Sequence, residues 1–342
     1  MRTRRLGKSE LEVPVVIFGA WAIGGWGWGG RDDASDRAAV AAMTRALSVG
    51  VHAIDTAPVY GFGHSEHLVG QALRESGRPR DEVVLMTKAG LRWDDERGKL
   101  SYEGTDDQGV PRKIYRNSRP DSVIAECDAS LKRLGVDYVD LLQIHWPDPT
   151  TPIADTMGAL AELVRAGKVR AVGVSNYSPD ELEEARLALG DVPLASDQPK
   201  YNLVCRDIES DVLPYAREHE VGLVVYSPME MGLLSGKVPA SREFPETDSR
   251  SNRPMFRAEN RAKVNAALER AVAQVAAAHG ATVAQVVLAW TVQQPGVTAA
   301  LAGARTPEQV DENAGAGDLV LSDAEWSAID AAFTGLDLNL TA

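Results

Sequence analysis

The chain has 342 residues, 44% hydrophobic and 25% charged, enough to bury a sizeable core as one or two domains. With 36 basic and 49 acidic side chains its net charge is −13, which opposes contact with nucleic acid or anionic lipid. Two cysteines, Cys127 and Cys205, in no metal or redox spacing exclude a disulfide framework and a thiolate zinc site.

The N-terminus is basic but has no apolar stretch of signal-peptide length, and the chain has no run of about 18 apolar residues, so the cytoplasm is the expected compartment. The opening segment Thr3–Val13 reads as a hairpin covering one end of the domain. Apolar runs then recur at Val15–Gly19, His52–Asp55, Val83–Lys88, Val139–His145, Ala171–Ser175, Ala195–Asp197, Val221–Ser227 and Thr298–Ala302. Several are apolar throughout, as strands covered on both faces are. Helical patterns separate them: Ser35–Ser48, Ser65–Glu75, Pro120–Leu134, Ala154–Ala166, Pro179–Ala188, Glu209–Glu218, Asn260–His279 with Val283–Gln293, and Pro307–Ala314. Ser178-Pro179 and Thr306-Pro307 read as helix starts, and Gly135 and Gly280 as helix ends. Eight strands alternating with helices predict an α/β fold of one domain over residues 1–342, a closed (β/α)8 TIM barrel. Two long polar stretches, Gly90–Arg119 and Gly236–Ala258, come after strand ends and read as loops on the C-terminal face, where barrel active sites form.

Polar residues gather at the ends of these strands. Asp55 closes the second strand, with Tyr60 five residues on; Lys88 closes the third and His145 the fourth. A barrel brings such ends to one mouth. A tyrosine alone is a poor acid at neutral pH; an adjacent ammonium favours phenolate and lowers its pKa. Lys88 supplies that charge, Asp55 orients Lys88, and His145 donates to a carbonyl oxygen. Tyr60 so tuned acts as acid in reduction and base in oxidation.

Asp55, Tyr60, Lys88 and His145 in these contexts resemble the catalytic tetrad of the aldo-keto reductases. The resemblance runs from LGKSELEVPVVIFGAWAIGG to GARTPEQVDENAGA, nearly the whole chain, and is nearest to bacterial members. It implies NADP(H) lying across the barrel mouth and a small carbonyl or alcohol as substrate, reduced or oxidised by hydride transfer. By position it implies that Ser175, Asn176 and Gln198 bond the nicotinamide amide and that Tyr226 stacks on the ring. The segment from Ser227 to Lys237, with Pro228, Met229, Gly232 and Leu234, would wrap the pyrophosphate. Gly303, Arg305, Thr306, Gln309, Glu312 and Asn313 would hold the adenosine half, Arg305 and Thr306 at the 2′-phosphate, where a helix N-terminus favours anions. Trp21, Tyr60 and Trp146 would wall the substrate pocket, with help from the Gly90–Arg119 loop, and Trp21 would also touch the cofactor.

Competing readings are weaker. Asp55 and Lys88 alone would suit a structural ion pair, but not with Tyr60 and His145 beside them. His64 and His67 lack a metal-binding spacing, so no metal is expected. Gly25, Gly27 and Gly30 match a dinucleotide-binding glycine pattern, yet RDDASD separates them from the next helix. A barrel that only senses bound NADP(H), with little turnover, is the remaining functional rival.

Overall fold

The computed structural model describes residues 1–24, 32–106, 108–246 and 248–341. Gly25, Gly27 and Gly30 lie outside them. Strands β1 (Thr3–Arg5) and β2 (Glu12–Pro14) form an antiparallel hairpin. The barrel strands in chain order are β3 (Val16–Gly19), β4 (Ala53–Asp55) and β5 (Val84–Ala89). After three further strands, β6 (Leu91–Arg92), β7 (Lys99–Thr105) and β8 (Pro111–Arg116), come β9 (Val139–Ile144), β10 (Val169–Val174), β11 (Leu194–Asp197), β12 (Gly222–Val225) and β13 (Val297–Ala302). Strands β3, β4, β5, β9, β10, β11, β12 and β13 close in that order into an all-parallel barrel. The fold is therefore a (β/α)8 barrel. Parallel strands need crossovers, and helices supply each of them, so both strand faces are covered.

The helices track the sequence periodicity, with local shifts. The helix Pro179–Leu189 opens on a capping box, Ser178 accepting from Glu181 N while the Glu181 carboxylate accepts from Ser178 N. The expected helix at Glu209–Glu218 begins at Val212 after a 3₁₀ turn at Asp207–Glu209, because Asp211 caps it. The long helix expected over Asn260–His279 is broken by a π turn at Leu268–Val272. A terminal helix, Asp323–Phe333, was not among the expected elements; it too starts on a capping box, Ser322 with Glu325. No single helix among the described residues is long and apolar enough to span a membrane.

The polar stretch Gly90–Arg119, expected as loop, carries β6, β7 and β8, which form an antiparallel sheet of their own. Alternation is weak in the sequence because the strands are mostly exposed and few of their residues, Leu91 and Ile114 among them, are buried. The other stretch, Gly236–Ala258, has no strand among its described residues. Phe244 there is ringed by the guanidiniums of Arg242, Arg250 and Arg261, and Arg250 is held by Asp248 at 2.6 Å.

The hairpin of β1 and β2 closes the barrel's N-terminal end. Leu6, Leu11 and Val13 are buried against inward residues of the strands, among them Ile17, Leu141 and Ala195. Its tip is possible only with glycine at position 7. Gly7 has φ +53°, and a Cβ there would meet the backbone of Ala195, Glu220 and Gly222. Gly7→Val should accordingly cost at least about 1 kcal/mol, through strain and backbone displacement. The check is a lower denaturant midpoint with kcat at 25 °C retained; a midpoint equal to the parent's would show that the tip adapts freely.

Candidate active site

At the C-terminal end of the barrel lies a cavity of about 690 Å³. Asp55 is the last residue of β4, Lys88 the fifth of β5's six, and His145 directly follows β9. Tyr60 sits on the turn after β4, pressed by the segment after β3: a Cβ on Gly24 would strike the Tyr60 carbonyl carbon, so glycine permits that approach. Lys88 is fully buried and Asp55 almost so. Lys88 Nζ donates to Asp55 Oδ1 at 2.6 Å, to the Thr56 carbonyl at 3.0 Å and to the Tyr60 hydroxyl at 3.3 Å. The Tyr60 and His145 rings meet edge to face, centroids 5.7 Å apart. The four side chains expected to act together are thus one contiguous cluster.

The electrostatics differ from the sequence expectation in one respect. Burial, then the Asp55 carboxylate, raises the Tyr60 phenol well above its ordinary range. The expected lowering by the Lys88 ammonium does not prevail, because withdrawal from water penalises phenolate more. Burial also lowers Lys88, against the pull of Asp55 and Glu66. Burial and Lys88 hold His145 well below its ordinary value, so its imidazole is neutral and has an N–H to donate. The phenol is correspondingly kept in its acid form.

Ser175 and Asn176 come after β10, and Gln198 after β11. Ser175 Oγ donates to the Gln198 carbonyl at 2.7 Å, Asn176 Nδ2 donates to Ser175 Oγ at 2.9 Å, and Tyr226 OH donates to Asn176 Oδ1 at 3.0 Å. Gln198 Nε2 donates to Asp55 Oδ2 at 3.0 Å, a contact not expected from its implied cofactor role. Gln143, also unanticipated, donates to the same oxygen at 3.4 Å. An amide between Leu142 and Ile144, inside the buried strand VDLLQI, was its signal. Two residues singled out as cofactor contacts do not line the cavity. Leu234 is fully buried in the core, and the Thr306 hydroxyl caps the helix Pro307–Gly315 by accepting from Gln309 N.

The remaining expected residues, Trp21, Trp146, Ser227, Pro228, Met229, Gly232, Lys237, Gly303, Arg305, Gln309, Glu312 and Asn313, all line the cavity, as do Tyr102, Arg250 and Arg253, which sequence reasoning missed. Several bond one another: Lys237 Nζ with Glu312 at 3.0 Å, Asn313 Nδ2 with the Gly303 carbonyl at 3.1 Å, and Arg305 N with Gln309 Oε1 at 2.8 Å. Six described non-glycine residues have left-handed backbone, and four of them, Asn176, Ser227, Glu230 and Met231, line this cavity. Such strain persists where a site needs it. His64, by contrast, pairs with Asp36 at 2.8 Å away from the cavity lining, and no metal-type cluster occurs among the described residues.

An all-parallel eight-stranded barrel with a largely apolar, strained cavity at its C-terminal mouth, into which a few polar groups converge, defines an enzyme-type (β/α)8 protein. The chain belongs to the aldo/keto reductase family, whose profile matches residues 15–333, and is an oxidoreductase. It is 36% identical over 311 residues to the aldo-keto reductase YhdN of Bacillus subtilis, covering 91% of this chain and 87% of that protein. It is 37% identical over 329 residues to the NADH-specific methylglyoxal reductase of Escherichia coli, covering 95% and 96%. Among solved structures, glycerol dehydrogenase from Gluconobacter oxydans is similar at 39% identity and a TM-score of 0.85, covering 99% of this chain and 97% of that one.

Asp197, at the end of β11 and next to Gln198, lies behind the amide cluster. Its carboxyl is fully buried, and burial pushes it up to about 8 despite the amides of Tyr177 and Gln198. A carboxyl whose folded pKa exceeds the unfolded one, about 3.9, stabilises the fold fully below that lower value. The contribution is lost as pH rises through about 8. Asp197→Asn, which cannot ionise, should therefore lose less stability than the parent between pH 5 and pH 9 in denaturant titrations. Parallel losses in both proteins would show that Asp197 does not carry this dependence.

Proposed function

We propose that the chain reduces a small aldehyde or ketone to the alcohol, reversibly, with NADP(H), and that Tyr60 is its acid. The observation that carries this is the Lys88 Nζ contact to both Asp55 and the Tyr60 hydroxyl at the floor of the cavity. The nicotinamide group, when bound, supplies hydride to the carbonyl carbon. The chain supplies the proton: Tyr60 gives its O–H to the carbonyl oxygen. As negative charge develops on the phenol oxygen, the Lys88 ammonium at 3.3 Å offsets it. His145, neutral, donates to the same carbonyl oxygen and fixes its direction. Asp55, accepting from Lys88, Gln198 and Gln143, keeps the ammonium aimed.

The cavity suits an extended dinucleotide by the chemistry of its donors. Ser175, Asn176 and Gln198 present amide and hydroxyl groups near the four-residue cluster, where a carboxamide would be held. The left-handed run Glu230, Met231 and Gly232 lines the cavity, and so does Arg305. The two carboxylates that could repel a 2′-phosphate are both neutralised, Glu312 by Lys237 and Asp311 by Arg45 at 2.8 Å. That favours NADP(H), although the similar methylglyoxal reductase is NADH-specific by name. The names of the similar proteins, methylglyoxal reductase and glycerol dehydrogenase, support a short, oxygen-bearing substrate.

Tyr60→Phe removes the proton and little else. It should leave NADPH affinity nearly intact and lower kcat by roughly 10²–10⁴-fold, the usual contribution of a general acid. A kcat within a few-fold of the parent's would refute the assignment, and a parent without turnover on aldehydes would favour the sensing barrel instead. For the cofactor, Arg305→Ala should weaken NADPH by about ten- to a hundred-fold, the worth of hydrogen bonds to a charged group, and NADH far less. Titration of both proteins with both cofactors decides. Equal losses would reduce Arg305 to a loop support, and a parent preferring NADH would overturn the NADP(H) reading.

A further inference from the structure

The sheet of β6, β7 and β8 does more than cover the barrel mouth. It contributes Leu91 and Tyr102 to the cavity wall. β7 pairs with β8, but the register shifts between Leu100 and Tyr102. In a regular strand those two side chains, two positions apart, would share a face. Here Leu100 is 45% exposed while Tyr102 packs inward with Ala57, Val59, Leu91 and Ile114. Bulges re-aim side chains and recur beside active sites. Arg116 on β8 pins this one, donating to Ser101 Oγ at 3.4 Å and to the Pro147 carbonyl at 3.3 Å, with its guanidinium 5.0 Å above the Trp146 ring. Tyr102 is thereby held on the cavity wall, packed against the same apolar cluster as Tyr60 and Trp146.

Tyr102 lines the same cavity as Tyr60, His145 and Trp146, and the two phenols are near enough to couple electrostatically. Burial raises the Tyr102 phenol above its ordinary range, so it stays protonated. Its neighbours on this wall, Val59 and Leu91, are apolar. The proposed reaction already engages Tyr60 and His145 with the reacting oxygen. Tyr102 adds a further hydroxyl to this cavity.

We propose that Tyr102 is a specificity residue whose hydroxyl bonds an oxygen on the carbon next to the reacting carbonyl, selecting short α-hydroxy and α-oxo aldehydes and ketones. This rests on the reductase reading above. A wall that presents a hydroxyl to a substrate oxygen disfavours the analogue with a methyl there, because the methyl can make no hydrogen bond with the phenol. The same geometry takes vicinal diols in the oxidative direction.

The test compares glycolaldehyde with propanal, which differ by a hydroxyl in place of a methyl, on the parent and on Tyr102→Phe. Taking each substrate's change between the two proteins cancels differences in intrinsic reactivity and hydration. The ratio of kcat/KM for glycolaldehyde over propanal should fall about 3- to 10-fold in Tyr102→Phe, the worth of one neutral hydrogen bond, mostly through the KM for glycolaldehyde. An unchanged ratio, whether both activities fall or neither does, overturns the proposal and leaves Tyr102 as packing. A parent that turns over neither aldehyde with NADPH or NADH overturns the reductase reading itself, and this inference with it.

Discussion

The ion pair of Lys88 and Asp55, 2.6 Å apart beneath the cavity floor, is the constraint around which the mouth of this barrel is arranged. Both ions are withheld from water, and burying charge is costly unless geometry and further hydrogen bonds offset it. The neighbourhood supplies those bonds. Asp55 Oδ2 accepts from Gln198 and Gln143, and Lys88 donates to the Thr56 carbonyl and the Tyr60 hydroxyl. Removing either ion strands the other's buried charge, so the pair fixes the side chains around it. Tyr60 is placed because it is one of the ammonium's acceptors.

Around that centre the barrel divides labour by distance. Backbone from β4, β5 and β9 sets the cluster itself. The residues after β10, β11 and β12 form a band of amides and strained turns, where Asn176, Ser227, Glu230 and Met231 hold unfavourable backbone that the surrounding packing over-determines. Gln198 belongs to both regions: it touches Asp55 directly and lines the cavity with Ser175 and Asn176. A group bound against those amides is therefore one residue from the carboxylate that orients Lys88. Farther out, ion pairs such as Lys237 with Glu312 and Arg45 with Asp311 tie the last helix segment of the mouth to its neighbours. Lys237, Arg45 and Asp311 are largely exposed, so these pairs serve position more than stability.

The hairpin sheet after β5 shows how the outer wall is made independent of the barrel. Its strands are short, antiparallel and mostly solvent-facing, and only one face meets the cluster of Ala57, Val59, Leu91 and Ile114. In the reaction proposed above, a change in its sequence would alter what faces the substrate without disturbing the buried pair, so substrate choice and acid–base chemistry would be carried by different elements of one cavity.

The barrel itself was legible in the sequence, because strands buried on both faces must be apolar throughout and crossover helices must show a 3.6-residue period; β9, β10 and β13 were found to within a residue or two at their C-terminal ends. So was the meeting of Asp55, Tyr60, Lys88 and His145, since a closed parallel barrel brings its strand ends to one mouth. Tertiary structure alone decided the rest. The sheet of β6 to β8 was hidden because its strands are mostly solvent-facing. That Tyr60 is held as a neutral phenol depends on how completely the fold excludes water from it, which spacing cannot report. Gln143, Asp197 and Tyr102 carry no motif; their places come from which strand ends meet and from one bulge. Periodicity and residue type are local properties of a chain, whereas desolvation, register and the meeting of distant side chains exist only once the barrel has closed.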